Sequence, residues 1–308
     1  MNTKIFRWLG PVVWVAGLAV PFVLGANWIS ILAIFAIYAV VALSQDIVLG
    51  RAGMFDMGHA VYFGIGAYVT AILNTVYGVP VLWSMIPAII TAALVGGLLA
   101  APIVKLRGDY LLVATIGISQ IFHLVMVNNV GGVTGGPDGI FGIGVPSLFG
   151  HAIMSQGGNF LVDWVLLGLV LLLVNNLEHS RLGRVFRYLK EDELAATTLG
   201  VNARYYKILA FALGAGVAGA AGTLFASQLA VVSPGAFVFT ESVTLFAIVL
   251  VGGQASIPGV LLGTVLMFVV PQVFRELAQY RYFVFGIGMI VVMVIRPQGI
   301  WPRRRRME

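Results

Sequence analysis

The chain has 308 residues, 60% of them hydrophobic and 10% charged, and its mean hydropathy is +0.99. An ordinary soluble domain carries roughly a quarter charged residues, so this composition excludes a water-solvated globule and leaves lipid as the solvent. The net charge of +6 fits membrane orientation better than a nucleic-acid partner, and the lack of cysteine excludes disulfides and thiolate chemistry.

Apolar stretches long enough to cross a hydrocarbon core, roughly 20 helical residues each, recur along the chain. They are apolar all round and rich in Leu, Ala, Val and Gly, unlike the alternating pattern of a membrane β-barrel, so an all-α polytopic membrane protein is expected. In chain order, spans are predicted near 9–27, 29–49, 57–76, 81–103, 110–130, 160–177, 206–230, 241–256, 258–273 and 282–296, about ten in all within a single transmembrane domain, 1–308. The first follows Lys4 and Arg7 as a signal peptide would, but no small-residue cleavage site comes after it, so it reads as a retained span. Gly and Pro interruptions mark 57–66 and 241–260 as re-entrant or discontinuous.

The basic residues test this topology. Lys4 and Arg7, Arg51, Lys105 and Arg107, the run from Arg181 to Lys207, Arg296 and Arg303 to Arg306 all fall on one face. Arg275 and Arg281, flanking Glu276, are the exceptions. By the positive-inside rule that face, with both termini, is cytoplasmic. The basic tail from Arg303 to Arg306 is accounted for by orientation and by contact with anionic membrane lipids.

Two loops stand out. The outward one, 128–159, is Gly-rich with Pro137 and Asp138, a turn composition. The inward one, 178–207, reads EHSRLGRVFRYLKEDELAATTLGVNARYYK, and from Arg184 to Leu199 it is predicted as one amphipathic helix stopped by Gly200. Such a helix must bury its apolar side on the bilayer, on its own helix ends or on a partner.

Several blocks together carry a resemblance. They are VLGRAGMFDMGHAVYFGIGAYVTAIL (48–73), LRGDYLLVATIGISQI, TGGPDGIFGI, SRLGRVFRYLKEDELAATTLGVN and LVGGQASIPGVLLG, in that order. The chain resembles the LivM-type permeases of branched-chain amino acid ABC transporters, with the urea permeases as close relatives, over nearly its whole length beyond the first span. Within it, ELAATTLG (193–200) is similar to the coupling-loop motif that inserts into a groove of the ATPase subunit. The resemblance implies an importer subunit of the bacterial inner membrane, not itself an enzyme and holding no cofactor. Its partners would be a second homologous permease subunit, two cytoplasmic ATP-binding subunits and a periplasmic solute-binding protein. The chain has no GxxxxGK[ST] loop to cradle phosphates, so ATP would act from another polypeptide.

The coupling residues implied are Arg184, Arg187, Glu191, Asp192, Glu193, Ala195, Ala196, Gly200 and Asn202. In the outward loop Thr134, Gly135, Gly136 and Asp138 are candidates for docking the binding protein, although a solvated turn has the same composition. Ionisable residues at membrane depth are costly and so are candidates for the substrate path. Asp46 and Asp56 flank Arg51, and the plain reading is a local ion pair. His59 reads as a hydrogen-bonded structural histidine. Thr115, Ser119, Phe122 and His123 share one helical face, a polar stripe that suits a zwitterion path or interhelical hydrogen bonding equally. Compared with the family, Asp56 stands where a small polar residue is usual and Thr244 where a Glu is usual, with Glu241 one turn earlier on the same face.

Two other functions compete with this one. An ion-driven secondary transporter would use Asp56 and Glu241 as coupling sites. A membrane enzyme would need a dense cluster of His, Asp or Glu, and the sequence offers none.

Overall fold

The computed structural model describes residues 25–106, 108–148 and 151–273, together with 14, 17–23, 283, 286, 287, 290, 294 and 299–301. Lys4, Arg7, Arg107, Arg275, Glu276, Arg281, Arg296, Arg303 to Arg306 and most of the first and last expected spans lie outside these residues.

The helices are α1 (Ala26–Asp46), continued by one wider π-type turn over Ile47–Arg51, then α2 (Ala60–Tyr77), α3 (Val81–Ile103), α4 (Asp109–Val127) and α5 (Gln156–His179). Two short helices follow, α6 (Arg181–Glu191) and α7 (Glu193–Thr198). The long α8 (Ala203–Leu229) leads through a 3-10 turn, Pro234–Phe237, into α9 (Phe239–Gly252) and α10 (Ile257–Thr264), which runs on helically to Val273. Seven segments among the described residues are long and apolar enough to cross a membrane, and Ile257–Gln272 is a shorter apolar helix. These eight match the eight middle spans expected from hydropathy, with ends shifted by a few residues.

Three local expectations change. The 57–66 interruption is instead a break over 52–59, after which α2 runs without a gap from Ala60. The 241–260 stretch is two helices that part where Gly253 and Ala255 take φ of 125° and 56°. The single helix expected from Arg184 to Leu199 is two helices, because Asp192 adopts an extended backbone and its carboxylate accepts a hydrogen bond from the Ala195 amide, 3.0 Å. A short acidic side chain competing for backbone donors favours a cap over a helix interior.

The 128–159 loop is not wholly irregular. Two-residue strands β1 (Ile140–Phe141) and β4 (Val231–Val232) pair antiparallel, as do β2 (Ser147–Leu148) and β3 (His151–Ala152). Asn74 Oδ1 accepts from the Gly144 amide and the Ser227 hydroxyl donates to the Gly144 carbonyl, so the loop is tied to the ends of α2 and α8.

The centre of the bundle is α8 packed on α2 and α3. Of the most apolar stretch of α8, 78% is buried, against 28% for α3 and 22% for α4. Small residues make this possible. A Cβ on Gly66 would strike the Gly219 backbone, one on Gly222 the Phe63 carbonyl, and one on Gly96 the Ala215 methyl. With lipid tails as apolar as the side chains, close backbone approach and van der Waals packing hold such helices together. The Thr70 hydroxyl adds a hydrogen bond to Thr223, 2.9 Å, across the same seam.

This packing predicts a contrast. Gly222→Val forces the α2 and α8 backbones apart and costs about 1–3 kcal/mol. Gly97→Ala, whose new methyl meets nothing nearer than 3.7 Å, leaves stability unchanged or slightly raised. Unfolding midpoints of both variants in detergent check this, and equal shifts would contradict the seam.

Candidate functional site

Two regions hold the candidate residues, and polar contacts join them. The first is the break between α1 and α2. Where α1 ends, Asp46, Arg51, Asp56 and His59 are all buried. Backbone groups released by the break and buried in the bundle need partners inside the protein. Gln45 Nε2 donates to the Asp56 carbonyl at 2.7 Å, the Met57 amide donates to Thr115 Oγ1 at 3.0 Å, and the Ala60 amide donates to Ser242 Oγ at 3.1 Å. Side chains of α1, α4 and α9 thus meet at the start of α2.

The Asp56 carboxylate caps this start from within. One oxygen accepts from the Gly58 amide at 2.8 Å, and the other lies 2.9 Å from His59 Nδ1. His59 Nε2 lies 2.8 Å from Ser44 Oγ. A Ser–His–Asp line is also the arrangement of a nucleophilic hydrolase. Here Ser44 is wholly buried and its hydroxyl donates to the Val41 carbonyl, so the line serves the fold.

The expected pairing of Asp46 and Asp56 around Arg51 changes in one respect. Arg51 bonds Asp46 at 3.2 Å and Glu178 of α5 at 3.1 Å, while Asp56 belongs to His59. The second Asp46 oxygen accepts from the Ala255 amide at 2.7 Å, which fixes the turn between α9 and α10.

Along α4, Thr115 and Ser119 are buried and His123 is half-buried on one face. Ser119 Oγ and His123 Nδ1 have no hydrogen-bond partner among the described residues, nor does the Tyr68 hydroxyl on α2. Tyr68 stands edge-on to Phe122 of that α4 face. Glu241 is half-buried in the first turn of α9, where the helix dipole favours an anion, and Thr244 bonds back to the Thr240 carbonyl at 2.9 Å. The polar stripe therefore meets the start of α2 at Thr115 and the middle of α2 at Phe122.

The second region is the segment from α6 to the start of α8. Its helices are capped in turn by Ser180, Asp192 and Asn202. Phe186, Leu189 and Ala196 are buried, whereas Arg184, Arg187, Glu191, Ala195 and Gly200 are exposed. Gly200 has φ +89°, a left-handed stop that a side chain would strain. Glu193 Oε1 accepts from Lys207 Nζ of α8 at 2.8 Å. Lys190 Nζ donates to the Gly50 carbonyl at 2.6 Å and to Gln254 Oε1 at 2.8 Å. Lys190 thus clamps α6 to the π-turn of α1 and to the turn between α9 and α10.

Sequence reasoning missed the clamp and did not separate the exposed leucines of this segment from its buried residues. Leu194 is 70% exposed and Leu199 85% exposed, with Tyr188 of α6 also exposed. Nothing local signals Lys190, because its partners lie 140 and 64 residues away. In the 128–159 loop, Thr134 is buried and bonds Asn129 and the Met126 carbonyl, Gly136 is buried, and Gly135 and Asp138 are exposed.

A family model described as branched-chain amino acid transport system / permease component matches residues 27–293. The chain is 36% identical to the high-affinity branched-chain amino acid transport system permease protein LivM of Escherichia coli K12, over 94% of this chain and 74% of that protein. It is 28% identical to the permease protein LivH of Salmonella typhimurium, over 86% of this chain and 91% of that one. It is 26% identical to a probable LivM permease of Methanocaldococcus jannaschii, over 88% and 92%. No solved structure matches it.

The buried pair yields a prediction. Asp46→Ala leaves the Arg51 charge and the Ala255 amide without their partner and lowers stability by about 3–5 kcal/mol. Glu178→Ala removes a carboxylate whose side chain is 24% exposed and costs about 1 kcal/mol or less. Thermal unfolding in detergent compares the two, and a larger loss for Glu178→Ala would overturn the assignment.

Proposed function

Since the chain belongs to the family of branched-chain amino acid transport system permease components, we propose that it is the membrane subunit of an ATP-driven importer of branched-chain amino acids. It pairs with a second, homologous permease in the bacterial inner membrane, with both termini cytoplasmic and about ten spans. Two ATP-binding subunits dock on the segment 178–207, and a solute-binding protein delivers substrate at the outward loop 128–159.

The observation that carries this reading is α7. It is held to the bundle by the Glu193–Lys207 bond and the burial of Ala196, yet it presents Leu194 and Leu199 outward, 70% and 85% exposed. Exposed leucines at the start of a short helix and at its end, ringed by polar residues on the basic side of a membrane protein, suit a groove on a partner. Arg184, Arg187, Glu191, Ala195 and Gly200 border it, while Asp192 and Asn202 shape it as caps.

Movement of α7 reaches the bundle through Lys207, and movement of α6 through Lys190. Alternating access follows when closure of the ATPase pair shifts both. Thr115, Ser119, His123, Glu241 and Thr244 line the path on this reading, beside Asp56 and His59. The ion-driven alternative is disfavoured, because both Asp56 oxygens are already engaged by Gly58 and His59.

Leu194→Asp and Leu199→Asp should leave the unfolding midpoint unchanged, since both side chains are exposed. Co-purification of the ATP-binding subunits and ATP-driven uptake of labelled leucine in proteoliposomes should each fall at least roughly tenfold, the effect of a charge placed in an apolar interface. Normal ATPase recovery with both variants would remove α7 from the interface, and leucine uptake driven by an ion gradient without ATP would end the importer reading.

A further inference from the structure

Beside the docking helix, a cleft of about 460 Å³ lies between the Val104–Lys105 end of α3, the start of α8 and α7. Lys105, Arg204 and Lys207 line it against one carboxylate, Glu193. Lys207 is already bonded to Glu193, whereas Lys105 and Arg204 are exposed, and the Arg204 guanidinium reaches back only to the Ala101 carbonyl at 3.5 Å. The first turn of α8, capped by Asn202, adds the positive end of a long helix dipole. A cleft of this charge calls for an anion.

A second feature indicates what carries the anion. From the cleft a file of apolar side chains runs along α3, with Leu98 72%, Leu94 61%, Ile90 52% and Ile86 54% exposed, spaced by four residues, and Trp83 62% exposed at the far end. Lys105 lies in the turn just past Ile103, at the end of α3 toward which the file runs. Twenty-three residues of α3 rise about 34 Å, which matches a hydrocarbon core of about 30 Å with Trp83 at one surface and the cleft at the other. A free anion would use the cleft and ignore the file. A phospholipid uses both.

We propose that this cleft binds the phosphate of an anionic phospholipid between Lys105 and Arg204, with an acyl chain lying along Leu98, Leu94 and Ile90. The second wall of the cleft is Glu193 and Thr197 of α7, so the bound phosphate lies beside the Lys207–Glu193 bond and competes for Lys207. The lipid thereby sets how firmly α7 is held.

The test is retention of lipid by the full chain, solubilised from vesicles of equal phosphatidylglycerol and phosphatidylcholine and weighed by native mass spectrometry. The wild type should retain phosphatidylglycerol selectively, and Lys105→Gln with Arg204→Gln should lower retention roughly 25-fold, about fivefold per cation. Lys105→Arg should retain it, which separates charge from misfolding. Equal retention of both lipids by the wild type, or undiminished retention by the double variant, overturns the site. Complete displacement by millimolar inorganic phosphate makes it an aqueous-anion site and overturns the lipid. Under mild oxidation, a disulfide between two copies of Leu98→Cys makes the file a subunit face and likewise overturns it. None of these readouts uses ATP or transport, so the importer reading stands or falls separately.

Discussion

A helix that stops inside a bundle leaves amides and carbonyls that water cannot satisfy, and between Arg51 and Ala60 this chain meets that demand with side chains from other helices. Gln45, Thr115 and Ser242 each bond one released group, and Asp56 bonds the Gly58 amide and His59. Each such group left unpaired would cost about 1–3 kcal/mol, so α1, α4 and α9 are bound to the start of α2 more firmly than their apolar contacts alone would hold them. The Asp46 and Arg51 charges extend the same logic to the turn after α9 and to α5. A buried pair of this kind adds little net stability over apolar residues, but it penalises every register in which the partners miss each other.

The break is also where the 178–207 segment takes hold. Lys190 bonds the Gly50 carbonyl in the π-turn and the Gln254 side chain in the α9–α10 turn, and Asp46 already joins those two elements. One cation on α6 therefore grips two parts of the bundle that are fixed to each other. The neighbouring α7 grips a third, α8, through Glu193 and Lys207. The two short helices differ in what they can move because Asp192 separates them: without that extended residue, α6 and α7 would form one rod and pull together.

Much of the architecture was legible because hydropathy over 20 residues is a one-dimensional property. The eight described apolar helices fall where the sequence puts them, and the family blocks lie in order from Val48 to the Gly252–Gly263 stretch. Asp56 and His59 could be paired by their spacing of three. Ser44, Glu178 and Ala255 could not, since their partners lie 15, 127 and 209 residues away. The kink at Asp192 was written in the sequence as an Asp three residues before Ala195, but a helix of good formers hid it. Exposure of Leu194 and Leu199 was invisible for another reason: on a six-residue helix the buried side is decided by what α8 offers, and α8 offers a place only for Ala196.

The glycines of the central seam bear on how any movement of α7 can travel. Gly219 and Gly222 of α8 rest against the backbones of α2 and α3, where Gly66, Ala88 and Phe63 leave no room for a methyl group. Helices in backbone contact cannot slide by a residue without driving Cβ atoms into carbonyls, so α2, α3 and α8 must shift as one body. The less buried α4 has fewer such restraints, and it carries Ser119 and His123 against that body. The face where α4 meets α2 holds the polar atoms of Tyr68, Ser119 and His123, and on the proposed importer reading a displacement entering at Lys207 would appear there as relative motion.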